Sequence, residues 1–257
     1  IEEIIAMTLR IFFLLITIFF NGNVLAEKEY DAIEFRELNL SLIAAARDGD
    51  IDSVRKRLDE GASIKARNRF GNTALISATR AGNLDIVKLL VEEGSNVDML
   101  NTNAETAIMN AASRGHEDIV RYLIDKNADI HKLSVKNISA LMEAVFANHE
   151  SIVKIFLKLY ADVSVIDWSG KTALNYASAN GNVKIIKLLV EHGADINRQT
   201  KNDLTSLMWA TGYQKTEAVK ILLQLGADKS LRDNRGLTAL MIAKENNFKE
   251  IIKLLEQ

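Results

Sequence analysis

The chain of 257 residues contains no cysteine and no proline. Without cysteine there is no disulfide framework, no thiolate zinc site and no cysteine nucleophile. Without proline, turns rest on Gly, Asn and Asp, and a mostly helical protein is indicated. Aromatic residues are few, 6% of the chain with two tryptophans. Neither sign of charge dominates: 32 Lys and Arg against 34 Asp and Glu leave a net of −2, so there is no overall pull toward nucleic acid. What remains is globular composition, 48% hydrophobic and 26% charged, neither disordered nor collagenous. The length suits one or two domains.

Long apolar runs are also scarce. One stands near the start, Ile11 to Phe20, interrupted by Thr17, preceded by Arg10 and followed by Val24-Leu25-Ala26. A basic residue, an apolar run and that ending suit a signal peptidase, with cleavage before Glu27. As a helix the run spans roughly 15 Å, about half a bilayer core, which favours a cleavable export signal over an anchor through residues 7–26. A buried core helix is the third reading. Met7 reads as the initiator and Ile1 to Ala6 as upstream sequence. Export without cysteine points to a bacterial periplasmic or secreted protein. Residues 27–38 form a charged lead-in, expected to be partly helical.

The rest repeats every 33 residues. Thr73-Ala-Leu75, Thr106-Ala-Ile108, Ser139-Ala-Leu141, Thr172-Ala-Leu174, Thr205-Ser-Leu207 and Thr238-Ala-Leu240 share one register without insertion. Five residues on stand Ala78, Ala111, Ala144, Ala177, Ala210 and Ala243. A second series runs Gly94-Ser-Asn96, Asn127-Ala-Asp129, Tyr160-Ala-Asp162, Gly193-Ala-Asp195 and Gly226-Ala-Asp228. Backward extension through Leu40-Ser-Leu42, Ala45, Gly49 and Gly61-Ala-Ser63 gives seven units. A fixed period of this length signals a solenoid. Each unit holds two stretches with helical spacing, a short one rich in small residues and a longer one rich in Leu, Ile and Val, separated in unit five by Gly181. The opening Thr or Ser is placed to cap the first helix or bond the turn.

The pattern Asp167-Trp-Ser-Gly170-Lys-Thr172-Ala-Leu174, then Ala177, Gly181, Ile185-Ile186-Lys-Leu188-Leu189 and Gly193-Ala194-Asp195, resembles an ankyrin repeat. The resemblance covers about residues 39–257. It implies an all-α repeat fold, an ankyrin-type solenoid of helix–turn–helix units joined by β-hairpin fingers. The units run about 39–67, 68–100, 101–133, 134–166, 167–199, 200–232 and 233–257. Ala or Ser stands where the family's helix-opening proline usually sits, and Ile76, Met109, Met142, Asn175, Met208 and Met241 replace its usual histidine. The methionines are expected to fill that histidine's space; an adaptable binding strip is the other reading. Unit one carries Lys56-Arg57 where later units are apolar, and reads as an N-terminal cap. Unit seven, ending in its long helix, reads as the C-terminal cap.

No constellation points to catalysis, a cofactor or a metal. His116, His131, His149 and His192 are not at ligand spacing on one helix. Gly170-Lys171-Thr172 resembles the end of a phosphate-binding loop, but Val165 stands where that loop needs glycine. Asp129, Asp162, Asp195 and Asp228 recur at the repeat period and read as turn residues.

A surface is left. By resemblance, partners meet positions six, four, three and one before each Thr or Ser, and seven and eight after it. In units two to seven these hold nine cations, Arg67, Arg69, Arg80, Arg114, Lys136, Lys171, Lys201, Arg232 and Arg235, against Glu105 and Glu245. Residues 27–257 carry 31 cations and 32 anions, so charge is sorted by face. Phe70, Leu133, Val135, Ile138, Phe146, Ile166, Trp168, Leu204 and Tyr213 fall in the same slots. Apolar groups ringed by cations suit a protein partner with an acidic surface, with Trp168, Phe146 and Ile138 as anchor and Lys136 and Lys171 as rim. The competing reading is that some of these side chains pack into the fingers. The alternative function is a basic groove for an anionic polymer or acidic lipid surface, against which stands the lack of regularly interleaved aromatics. A monomer is expected. Unit four, with Asn137, Ser139, Asn148 and Tyr160 at slots that units two and five fill with Gly or Thr, is the expected weak link.

Overall fold

The computed structural model describes residues 31–257. The signal segment expected at residues 7–26 lies outside them. Helix α1 occupies residues 31–48, so the described part of the lead-in is continuous with the first helix of unit one. It is followed by α2 (Ile51–Asp59), α3 (Ala74–Ala81), α4 (Leu84–Glu92), α5 (Ala107–Arg114), α6 (Glu117–Asp125) and α7 (Ala140–Phe146). Then come α8 (Glu150–Lys158), α9 (Ala173–Asn180), α10 (Val183–Glu191), α11 (Ser206–Gly212), α12 (Thr216–Gln224), α13 (Ala239–Glu245) and α14 (Lys249–Glu256).

The same local device opens every odd helix from α3 onward. The side chains of Thr73, Thr106, Ser139, Thr172, Thr205 and Thr238 accept the backbone N–H three residues later. Each such cap is worth ~1 kcal/mol. The residue at that third position decides what else happens. Asn175 closes a reciprocal capping box with Thr172 and donates from its amide to Ser206 Oγ of the next unit at 3.0 Å. Met109, Met142 and Met208 have no polar reach and are buried, which is the space-filling role; Met241, in the last unit, is exposed.

Two rows of helices result. Helices α3, α5, α7, α9, α11 and α13 stack directly on one another, and α4 to α14 form a second, less closely contacting row. The six period alanines, from Ala78 to Ala243, lie fully buried in the first row and let its backbones approach. In the second row Leu90, Leu123, Phe156, Leu189, Leu222 and Leu255 supply bulk to one continuous core. A tight row beside a bulky one bends the stack, with the alanine-lined row on the inside of the curve. The N-terminal unit ends its core in charge: Lys56 and Arg57 both pair with Glu60.

The fingers are hairpins of minimal length, too short for a named ladder. Among the described residues there is no named strand and one isolated antiparallel bridge, Leu133 to Ser139. Each finger closes through a pair of backbone bonds, as in Asn68 N to Asn72 O (3.1 Å) with Gly71 N to Asn68 O (2.8 Å), and Asp167 N to Lys171 O (2.9 Å) with Gly170 N to Asp167 O (2.9 Å). Such a pair closes a tight turn and leaves no room for a longer ladder. What extends along the array is the contact of the fingers with one another.

Candidate partner-binding surface

Each finger is organised by the side chain five residues before the capping Thr or Ser. Asn68 Oδ1 accepts from the backbone of Phe70 (2.9 Å) and Asn72 (3.1 Å). Asn101 does the same for Asn103 and Glu105, and Asp233 for Arg235 and Leu237. Asp167 accepts from the amides of Ser169 and Lys171, both at 2.9 Å, and from the Tyr176 hydroxyl. Successive fingers are tied by one backbone bond per step: Thr102 N to Phe70 O, Val135 N to Asn103 O, and Trp168 N to Lys136 O, at 2.8 to 3.1 Å. At the next step the register slips by one, and Lys201 N reaches Gly170 O at 3.4 Å. The slip coincides with the turn Lys201–Asp203, where Asn202 and Asp203 both have positive φ. Close approach fixes the residue type here: a Cβ on Gly170 would sit 2.2 Å from Lys201 Cβ, and one on Gly71 2.7 Å from the Thr102 nitrogen.

This scaffold sorts the fifteen sequence-selected residues. Thirteen are exposed; Ile138 and Lys171 are half-buried. Ile138 packs against the core, which leaves Phe146 and Trp168 as the accessible part of the expected anchor. Arg67 is held by the carbonyl of Leu100 and by Met99 Sδ, so it braces the neighbouring finger. Arg232 donates to Gly236 O at 2.6 Å within its own finger. Arg235 pairs with the buried carboxylate of Asp233 at 2.7 Å. These three cations have intramolecular work. Arg69 lies over Phe70, and Lys136 over Trp168.

The inner face divides along its length. Arg47, Arg80 and Arg114, with Phe70 and the amide side chains of Asn72 and Asn101, line a hollow of about 510 Å³ in units one to three. Units four to six carry an aromatic track. Phe146 meets Tyr176 edge-on with ring centroids 5.4 Å apart. The Lys171 ammonium lies 5.4 Å from the Tyr176 ring and 4.8 Å from that of Trp209. Trp209 stacks on Tyr213 at 6.0 Å. A cation between two aromatic faces is attracted to both, by ~0.5–1 kcal/mol each when exposed. Phe146, Trp168 and Tyr213 remain more than half exposed. Tyr176 and Trp209 are the residues that the slot pattern missed. They stand four after the capping residue, a position that holds Ser77 and Asn110 in units two and three and so carries no constant signature.

Glu143 occupies that same slot between the two zones. Burial, and then the nearby Glu105 charge, push its carboxyl above the ordinary range, while the Ser113 hydroxyl and Lys136 pull it back. Asp167 goes the other way: burial alone would raise it, but the donors from Tyr176, Lys171 and Ser169 leave it below the usual carboxylate range. Tyr176, desolvated and bonded to Asp167, is pushed up to about 12.

The remaining candidates have structural positions. Asp129, Asp162, Asp195 and Asp228 each accept the amide two residues on, at 2.7 to 2.9 Å. His116 and His149 pack against Gly82 and Gly115 of the preceding units. His192 contacts Leu188 O at 2.8 Å at the end of α10. Among the described residues no group of three or more His, Asp or Glu is placed to hold a metal ion, and no helix is long and apolar enough to cross a membrane.

Residues 42–134, 131–200 and 198–257 each match the profile of ankyrin repeats. No curated protein sequence matches the chain. Among solved structures, the chain is similar to the ankyrin repeat domain of Bcl-3, described as a unique member of the IkappaB protein family. The TM-score is 0.71 at 26% identity, over 84% of this chain and 98% of that one.

Proposed function

Because the chain belongs to the ankyrin-repeat family, whose repeats are protein–protein interaction modules, we propose that it is an exported, non-enzymatic binder of a partly acidic protein. The partner lies on the concave face, over arginines in units one to three and over aromatic side chains in units four to six. The aromatic track from Phe146 to Tyr213 carries this reading. Phe146, Trp168 and Tyr213 are exposed, and Lys136 over Trp168 and Lys171 between Tyr176 and Trp209 have no acidic partner within 4 Å among the described residues. Large aromatics of this kind supply most of the energy of an interface, and rim charges tune its rate and salt dependence.

Affinity capture with the protein, repeated with a Trp168→Ala/Tyr213→Ala variant, tests it. One protein species is expected to be retained by the parent and lost from the variant. Capture unchanged by the double substitution rejects the aromatic surface. Binding that survives it yet collapses with salt indicates an anionic polymer instead. Export is supported by the run Ile11 to Phe20 and the Val24-Leu25-Ala26 ending. Intact mass of the protein from its native compartment is expected to begin at Glu27; a cytosolic species that keeps Met7 to Ala26 overturns it.

A further inference from the structure

Helix α1 adds a feature that the repeat pattern does not supply. Its 31–40 portion and the first finger enclose a groove of about 720 Å³. The apolar lining is Phe35, Leu40 and Phe70, which are 50%, 40% and 55% exposed. The charged lining is Arg36, Arg47, Arg67 and Arg69, and no acidic side chain lines it. Arg47, Asn68 and Phe70 also line the hollow that contains Arg80 and Arg114, so the two run together. Two of these arginines are engaged, Arg47 with Asp48 at 2.7 Å and Arg67 with the Leu100 carbonyl. Arg36, Arg69, Arg80 and Arg114 make no ion pair among the described residues.

Every cation in this run is arginine, whereas the aromatic half uses lysine. The guanidinium is a planar fork that matches a carboxylate through two parallel bonds, and its stem and face tolerate apolar neighbours. Alternation of such forks with exposed Phe and Leu suits a chain that is itself both acidic and apolar. A polyphosphate would use the arginines and leave Phe35 and Leu40 in water. We propose that this groove binds an acidic segment of a protein partner, with its carboxylates on Arg36, Arg69, Arg80 and Arg114 and one apolar side chain among Phe35, Leu40 and Phe70. The inference rests on the reading of the protein as a binding module. It adds Phe35, Arg36 and Leu40 of α1, which lie outside the repeat units' own binding positions, to the arginines of units one to three, and so fixes the direction in which the partner lies along the array.

The test is fluorescence polarisation of the purified protein with a labelled, Glu-rich dodecapeptide carrying a central Phe-Leu pair. The same peptide with Gln for Glu and a single-stranded oligothymidylate of equal charge are the comparison probes. The Glu peptide is expected to bind best. Arg36→Gln/Arg69→Gln and Arg80→Gln/Arg114→Gln, each removing two such contacts, should each weaken it about tenfold or more, tenfold being the scale of one lost charge-assisted contact. Phe35→Ser should weaken it too, and Trp168→Ala should not. All four arginines are exposed, so circular dichroism of the variants should match the parent. Absence of binding, equal binding of the Gln peptide, tighter binding of the oligonucleotide, or indifference to both arginine pairs overturns the proposal. If the captured partner is still lost from the Trp168→Ala/Tyr213→Ala variant in that case, the groove fails and the module reading stands.

Discussion

The Tyr176 hydroxyl donates a hydrogen bond to Asp167, nine residues earlier, and so ties the inner helix α9 to the finger that precedes it. The carboxylate is buried and serves the finger amides as well, so one acid sets both the turn and the aromatic ring beside it.

Asp167→Ala should therefore destabilise the protein by about 1–3 kcal/mol, the cost of leaving several donors unpaired. Asp167 titrates below its ordinary range when folded. Its contribution is present above the unfolded carboxylate value and is lost as pH falls through the depressed folded value. Tyr176, at about 12, stays a protonated donor across that window. Urea unfolding at neutral and acidic pH is expected to show the gap between parent and variant closing in acid.

Glu143 should show the opposite sign. Its folded pKa is raised, chiefly by burial, so ionisation disfavours the fold. That penalty is absent below the ordinary carboxylate value and grows as pH rises through the raised one. Glu143→Gln is expected to raise the midpoint of thermal unfolding at pH 7 and to leave it unchanged near pH 3.

Tyr160 sits at φ 58° with its side chain 90% exposed. The equivalent Gly94 and Gly193 have nothing within 4 Å of a built Cβ, so this slot needs backbone freedom and not space. A bulky residue held left-handed costs on the order of 1 kcal/mol with no packing to offset it. Tyr160→Gly should raise Tm by about 2–4 °C for a domain of this size. An unchanged or lower Tm would show that the ring has an unrecognised contact.

Trp168→Ala should weaken binding of the captured partner by ~2 kcal/mol with little change in stability, since the indole is 69% exposed. Lys136→Ala should act mainly on the association rate. Stopped-flow kinetics separates the two.

The fold was legible because its period is exact in sequence: Thr or Ser caps and alanines recur at the same spacing in units two to seven, and turn aspartates in units three to six, each doing the same work. The surface was legible only as a set of positions. Sequence counts Arg235 as a surface cation, whereas Asp233 two residues away neutralises it. It counts Ile138 as anchor, although the side chain faces the core. Tyr176 and Trp209 escape because their slot changes character from unit to unit. The expected weak link is also shared: besides Tyr160, Ala104 in unit three and Gln214 in unit six hold left-handed backbone with side chains ill suited to it. Hydrogen exchange should accordingly find units three, four and six opening before units two and five.

One backbone bond joins each finger to the next, and close-packed alanine helices form the row behind. A strip built this way has unequal stiffness across its width. Splaying the finger edge stretches one backbone bond and at most a few side-chain bonds per unit, while spreading the helical row must open its packed core. The array is thus compliant in the direction that widens its hollow at the finger tips and stiff in the others. The place where it gives first is the slipped step between Gly170 and Lys201, where the bond is longest.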